Sequence, residues 1–363
     1  MYFRLMNSKK RILVAPLNWG LGHATRCIPI INSLLKHNFK VIISANGRSF
    51  HLLKEEFPEL EFVKIKGIDI KYPRCFPMSI SLFFQIPKIL FAIYWENKTL
   101  KKIVEKHKID GIISDNRFGL FHKKVKSVFI THQLEIQSPF LKNLIQKINY
   151  FFINKFSICW VMDDEKLNFA GELSKPKKFP NNYKYIGVHS RLELTKKEKK
   201  YKLCFILSGP EPQRTSFEKI VMKSVKGIKE EIVIILGKTE DEKRVITENN
   251  LTIISSSNTK EINRYILESE LIISRSGYST IMDLQKLQSN AIFVPTPGQT
   301  EQEYLAKHLK ENKVCFYQKQ KYFDLQKAIN ESKKYGGFKT NITEDRLNIL
   351  DDFSVKKKIE ELM

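Results

Sequence analysis

Leu271 to Leu284 reads L-I-I-S-R-S-G-Y-S-T-I-M-D-L, and Ala291 to Ala306 reads A-I-F-V-P-T-P-G-Q-T-E-Q-E-Y-L-A. Each begins as a short apolar strand and ends in small or polar residues that lead into a helix. The first strand opens into Ser276, Gly277, Ser279 and Thr280. A helix that starts on small hydroxyl residues offers free backbone N–H groups, side-chain donors and the positive end of its dipole, which suits phosphate. Asp283 follows on the first turns of the same helix, where a carboxylate can accept hydrogen bonds from ribose hydroxyls. The second strand ends beside Gln299, Glu301, Gln302 and Glu303, whose carboxamides and carboxylates suit sugar hydroxyls. Diphosphate donors next to a ribose acceptor point to a nucleotide-sugar site. Taken singly, each of these polar residues is also what a solvated helix face carries.

Working outward, short apolar runs alternate with helical stretches throughout. In the first half they are Arg11–Leu17, Val41–Ser44, Glu61–Ile65, Gly111–Ser114 and Val128–Thr131. In the second half they are Lys202–Leu207, Glu231–Leu236, Leu251–Ser255, Leu271–Ser274 and Ala291–Pro295. Strands of this kind separated by helices imply parallel sheets covered on both faces. Between Lys175 and Lys200 the pattern breaks into Pro, Asn and Lys, and the domain junction is expected near residue 190. The expected class is α/β, with two doubly wound Rossmann-like domains over 1–190 and 191–363 that face each other across a cleft. The last helix is a candidate to pack back on the first domain. Ligands in such sheets sit at the carboxyl ends of the strands.

The chain has 363 residues, 42% hydrophobic and 28% charged, a soluble globular composition with ample core. Its formal charge of +23 attracts anionic partners in general: nucleic acid, anionic lipid or phosphorylated substrates. A Lys- and Asn-rich composition gives the same excess without any such partner. No helix interleaves basic and aromatic residues as a nucleic-acid reader does, so no specific nucleic-acid partner is expected. Five scattered cysteines without a C-x-x-C pair predict buried free thiols in a reducing cytoplasm, and neither zinc nor a disulfide framework. The N-terminus lacks the apolar core of a signal peptide. Met78 to Trp95 is apolar but is interrupted by Gln85, Pro87 and Lys88, and is too short to span a bilayer.

Asn18 to Arg26 reads N-W-G-L-G-H-A-T-R, directly after the first strand. Gly20 and Gly22 permit a tight turn, but Thr25 stands where a dinucleotide fingerprint has its third glycine, and no acidic residue ends the next strand. His23, at the start of a helix, is kept neutral by the positive helix end and able to accept a proton. Asp115, at the end of I-D-G-I-I-S, is its candidate orienter, or a turn aspartate. His132, in F-I-T-H-Q, is the competing base. Arg214, where the helix after L-S-G-P-E-P-Q-R begins, has a guanidinium that suits a diphosphate.

In order, these pieces resemble the glycosyltransferases of family 28, the group of the N-acetylglucosaminyltransferase of peptidoglycan synthesis. G-L-G-H (Gly20–His23) is similar to that family's glycine-rich loop ending in histidine. S-G-P-E-P-Q-R (Ser208–Arg214) is similar to its G-G-S-x-G-x-R loop, and R-S-G-Y-S-T-I-M-D to its R-x-G-x-x-T-x-x-E segment, with Asp283 in place of the ribose-binding glutamate. Gln302-Glu303 falls where the family has Gln-Gln beside the donor sugar. The resemblance implies a GT-B fold and inverting transfer of a hexose from a UDP-sugar to an acceptor hydroxyl held by the first domain, with no cofactor and no essential metal. The acceptor is expected to be a glycan or a lipid-linked, cell-envelope glycan. The expected location is the cytoplasm, with peripheral attachment to the inner face of the membrane through Met78–Trp95 and Leu141–Phe156, where aromatics lie among lysines. Departures are the shorter Asp283, Tyr278 at a usually small position, the stiff Gly209-Pro210-Glu211-Pro212 and the absence of a second glycine adjacent to Gly22 before His23. The rivals are a UDP-sugar 2-epimerase of the same fold and a non-catalytic basic nucleic-acid- or membrane-binding protein.

Overall fold

The computed structural model describes residues 9–67, 78–136, 142–238, 243–339 and 349–353, without the side chains of 78–86, 350 and 351. Internal contacts divide the chain into two units, Met1–His189 with Thr343–Met363, and Ser190–Ile342.

The first unit contains β1 (Arg11–Pro16), α1 (Leu21–Lys36), β2 (Lys40–Ile43), α2 (Gly47–Glu56), β3 (Glu61–Phe62), α3 (Met78–His107), β4 (Gly111–Asp115), β5 (Lys126–Thr131), α4 (Lys142–Ile153), β6 (Ile158–Val161) and β7 (Tyr183–Tyr185). The strands form one sheet in the order β3-β2-β1-β4-β5-β6-β7, parallel throughout. Ile12, Leu13, Val14 and Ala15 are wholly buried, as a central parallel strand with helices on both faces requires. The chain runs outward from β1 to β3 and then returns to the other side of β1. The order therefore reverses between β1 and β4, and in open α/β sheets the crevice at that point is where ligands bind.

The second unit contains β8 (Tyr201–Ile206), α5 (Gln213–Ser224), β9 (Ile232–Ile235), β10 (Val245–Glu248), β11 (Leu251–Ile254), α6 (Thr259–Leu267), β12 (Ser269–Ser274), α7 (Tyr278–Lys286), β13 (Ala291–Phe293), α8 (Thr300–Glu311), β14 (Phe316–Tyr317) and α9 (Leu325–Ser332). Its sheet order is β10-β11-β9-β8-β12-β13-β14, with only β10 antiparallel among the described pairings. The reversal here falls between β8 and β12. Its core packs Leu203, Phe205 and Leu207 against Phe217, Ile234, Ile273 and Ile292. A short α10 (Ile349–Phe353) belongs to the first unit. There Trp160 Nε1 donates to Asp352 at 3.0 Å and Lys10 Nζ to the Phe353 carbonyl at 2.8 Å. The Phe353 ring lies so close to Gly111 that a Cβ there would stand 2.5 Å from it.

Three elements differ from the sequence reading. β3 holds two residues rather than five, because only Ile42 and Ile43 pair with it. α3 continues through Pro87 for 30 residues, and among the described residues no helix is long and apolar enough to cross a membrane. The sequence reading has no strand at β10, since only Val245 and Ile246 of its four residues are apolar and all four are exposed at the sheet edge. The expected buried thiols are found at Cys27, Cys159, Cys204 and Cys315; Cys75 lies outside the described residues.

Candidate active site

In the first unit, β1 leads into Gly20, which at φ 120° adopts a conformation open to glycine and strained for other residues. The turn lets α1 begin at Leu21 and sets His23 in its first turn. Asp115, fully buried, ends the neighbouring β4. His23 Nδ1 stands 3.1 Å from Asp115 Oδ2. The sequence reading brought these two together across 92 positions, and the sheet reversal is the physical reason they meet. Sequence reading missed the third member, Arg26, which is 4% exposed. Its Nε donates to Asp115 Oδ2 at 2.8 Å and its Nη2 to Asp115 Oδ1. Nη2 also lies 2.9 Å from His23 Nδ1, and Nη1 donates to His132 Nδ1 at 2.8 Å. The available signal was spacing: three residues after His23, Arg26 shares its helix face. Both histidines thus belong to one cluster around a single arginine–aspartate pair.

The electrostatics follow from burial and that pair. Burial lowers the His23 pKa from its usual 6.5, Asp115 raises it in part, and Arg26 lowers it again, with the net shift downward. His23 is consequently neutral at pH 7. Burial pushes the Asp115 carboxyl up, but Arg26 and then His23 outweigh it, leaving the group well below the usual carboxylate range. A neutral imidazole whose Nδ1 faces a carboxylate can take a proton on Nε2, with Asp115 compensating the charge that forms.

In the second unit, α7 begins after Gly277 with no side-chain cap. Ser279 and Thr280 occupy its first turn, so the helix presents amide donors at the carboxyl edge of β12, beside the reversal. The Ser276 hydroxyl is committed to the Gln302 carbonyl at 2.7 Å. Gln302 also binds the loop before α8: its Oε1 accepts from the Thr296 amide at 2.9 Å, and its Nε2 donates to Gln299 at 2.6 Å. Glu303 accepts from the Gly298 amide at 3.3 Å. Gln299, Gln302 and Glu303 therefore hold this loop in shape. Gly209, at φ 107°, lies against it, and a Cβ there would stand 3.3 Å from Thr296 Oγ1. That hydroxyl is buried with no hydrogen-bond partner.

Arg214 is turned toward carboxylates. Its Nε donates to Glu211 at 2.6 Å and its Nη1 to Glu218 at 2.7 Å and the Leu236 carbonyl at 3.2 Å. An incoming diphosphate would have to compete with both acids for it. The arginine that organises the edge is instead Arg275, 1% exposed, which sequence reading passed over. It donates to the carbonyls of Val294 (2.9 Å) and Pro295 (3.1 Å), to that of Gln213 (3.1 Å) and to Gln320 Oε1 (2.7 Å), tying three loops together. Burial lowers its pKa to about 10. Asp283 accepts from the Ser190 hydroxyl at 2.5 Å, and burial raises its pKa against the opposing charge of Arg191. Arg191 in turn donates to Thr259 Oγ1 at 3.0 Å. Ser190 and Arg191 flank the expected ribose acceptor, and nothing in the lysine-rich stretch they begin marked them.

Residues 204–347 match the glycosyltransferase family 28 C-terminal domain, which contains every donor-site residue named here apart from Ser190 and Arg191. No curated protein matches the chain. Among solved structures, the chain is similar to the glycosyltransferase SnogD from Streptomyces nogalater, at 12% identity over 98% of this chain and 100% of that one, with a TM-score of 0.62. The spinosyn rhamnosyltransferase SpnG matches at 13% identity, 97% and 99% coverage and a TM-score of 0.63. MurG from Acinetobacter baumannii matches at 14% identity, 90% and 92% coverage and a TM-score of 0.52. At such identities these likenesses show the fold, that of the GT-B glycosyltransferases, and the second unit carries the match to the family 28 C-terminal domain.

Proposed function

We propose that the protein transfers a hexose, with N-acetylglucosamine as a candidate, from a UDP-sugar to an acceptor hydroxyl, inverting the anomeric centre. The observation that carries the donor half is the start of α7 without a side-chain cap, joined through Ser276 and Gln302 to the loop that holds the unpartnered Thr296 hydroxyl, within the matched family 28 domain. Gly277, Ser279 and Thr280 would hold the diphosphate through main-chain and hydroxyl donors, with Ser276 shaping the loop. Asp283 would accept from a ribose hydroxyl, and Gln299, Gln302 and Glu303 would lie along the sugar. Arg214 would help with the diphosphate only by exchanging its carboxylate partners. In the first unit, His23 would take the acceptor proton on Nε2 as the acceptor oxygen bonds the anomeric carbon. The bond from that carbon to the diphosphate breaks, and UDP leaves with its electron pair. Asp115 would orient His23 and stabilise the imidazolium.

The acceptor we favour is a lipid-linked or envelope glycan, reached from a membrane surface. Leu90, Phe91, Tyr94 and Trp95 on α3, and Leu144 and Phe151 on α4, are exposed, Phe91 by 64%. Lys98 lies 4.7 Å from the Trp95 ring and Lys155 4.3 Å from that of Phe151. Apolar side chains beside lysines suit an anionic bilayer surface, each basic residue contributing about 1 kcal/mol. Phe83 and Phe84, part of the same expectation, lie outside the described side chains. The reading is tested by incubating the protein with UDP-, GDP- and dTDP-sugars and following thermal stabilisation and release of the nucleotide. UDP-sugars should stabilise, and their turnover should require an added acceptor. Epimerised sugar formed without any acceptor would overturn the transfer reading.

A further inference from the structure

Arg26 sits at the centre of the first-unit cluster, and its chemistry is one-sided: a guanidinium donates hydrogen bonds and never accepts them. Its Nη1 lies 2.8 Å from His132 Nδ1. That ring nitrogen must therefore be the acceptor, which places the proton of neutral His132 on Nε2. His132 is 5% exposed, and a second proton on Nδ1 would set a buried N–H against a buried cation. His23 is placed differently. Its Nδ1 lies 2.9 Å from Arg26 Nη2 and 3.1 Å from Asp115 Oδ2, between a donor and an acceptor. It can accept from the first or donate to the second, and only the second arrangement exposes a lone pair on Nε2. The groups that face this pair are Arg26 and Cys27 from α1, Asp115 from β4 and His132 after β5; Cys27 Sγ lies 3.8 Å from Asp115 Oδ2.

We propose that Arg26 is a positioning residue that divides the work of the two histidines. It pins His132 as the Nε2–H tautomer, a hydrogen-bond donor, and leaves His23 as the one that can change tautomer and take a proton. The inference rests on reading this cluster as the acceptor end of the transfer, but its geometry stands without any substrate. His132, whose Nδ1 lone pair is committed to Arg26, keeps its proton on Nε2. It cannot replace His23 as base while Arg26 is in place.

Long-range proton–nitrogen NMR of the full-length protein, labelled with nitrogen-15 in histidine, reads the tautomers directly. Signals are assigned by comparison with His23→Gln and His132→Gln. At pH 7.5 His132 should show the Nε2–H pattern alone. In Arg26→Met the pinning donor is gone, so His132 should lose the single-tautomer pattern. Arg26→Lys retains the charge beside Asp115 and should fold even where Arg26→Met does not, again with His132 released, because an ammonium lacks the fork that reaches both partners. An Nδ1–H or doubly protonated His132 in the wild type at pH 7.5 would overturn the proposal, as would an unchanged His132 pattern in a folded Arg26 variant. Neither outcome depends on whether UDP-sugars bind, so a failure here is separate from a failure of the transferase reading.

Discussion

His23 Nδ1 and Asp115 Oδ2 stand 3.1 Å apart at the sheet reversal of the first unit, one residue from the start of α1 and the other from the end of β4. The pair meets because β1 and β4 are adjacent strands whose connections leave in opposite directions.

If this pair serves the acceptor, His23→Ala lowers transfer by about 10²–10⁴-fold, the usual contribution of a general base, while UDP-sugar affinity stays near wild type. Steady-state turnover together with calorimetric titration of UDP separates the two effects. Wild-type turnover in the folded variant would remove His23 from the chemistry.

The pH dependence has a definite sign. The folded pKa of His23 lies below 6.5, so between that value and about 6.5 the unfolded chain binds a proton that the native chain does not. This contribution to stability is complete above that window and shrinks as pH falls through it. Asp115, held below its usual value, adds stability above about pH 3.8 that is lost as pH drops toward its folded pKa. Thermal denaturation from pH 7.5 to 4.5 should show a shallower acid loss in His23→Gln than in wild type. Activity should likewise persist below pH 6.5, because the base remains unprotonated there.

A third expectation concerns the buried pair Glu96–Arg117, where Arg117 Nη2 lies 2.9 Å from Glu96 Oε1 and Arg117 also donates to the Ile65 carbonyl at 3.1 Å. Arg117→Met removes one partner and should cost about 3–5 kcal/mol, the usual penalty for stranding a buried charge. Glu96 is already pushed above the usual carboxylate range by burial, so it protonates more readily once Arg117 is gone. Chemical denaturation of Arg117→Met and Glu96→Gln checks this. Wild-type stability in the arginine variant would show that the pair is not stabilising.

For the membrane surface, sedimentation with vesicles of neutral and anionic phospholipid is decisive. Phe91→Ser with Trp95→Ser should reduce binding to anionic vesicles, and wild-type binding should weaken at high salt as charges are screened. Equal binding to neutral and anionic vesicles at low salt would contradict the proposal.

Much of this arrangement was legible in the sequence because the strands that carry it are central. β1, β4, β8 and β12 are buried on both faces, so their apolar runs stand out, and their carboxyl ends name His23, Asp115 and Ser276 directly. Edge elements lacked that signal. β10 is wholly exposed and β14 has two residues, so neither forms a buried run, and the run read over Glu61–Ile65 pairs over only two residues in β3. Within the sites, motif reading named residues at the strand ends and passed over the buried arginines that tie them together. Arg26 and Arg275 bind partners 106 and 45 positions away, a relationship carried by the fold and absent from local spacing. Arg214 shows the converse: it stands where a donor-binding arginine was expected, yet Glu211 and Glu218, three before it and four after, occupy it.

The central claim is that the second unit binds a UDP-sugar with Asp283 on the ribose, and calorimetric titration of wild type and Asp283→Ala with UDP and a UDP-hexose tests it most directly. The account predicts saturable one-to-one binding to the wild type, weakened in the variant by about 1.5–3 kcal/mol for each charge-assisted hydrogen bond lost. Absence of UDP binding to the wild type, or equal affinity in a folded Asp283→Ala, would contradict it.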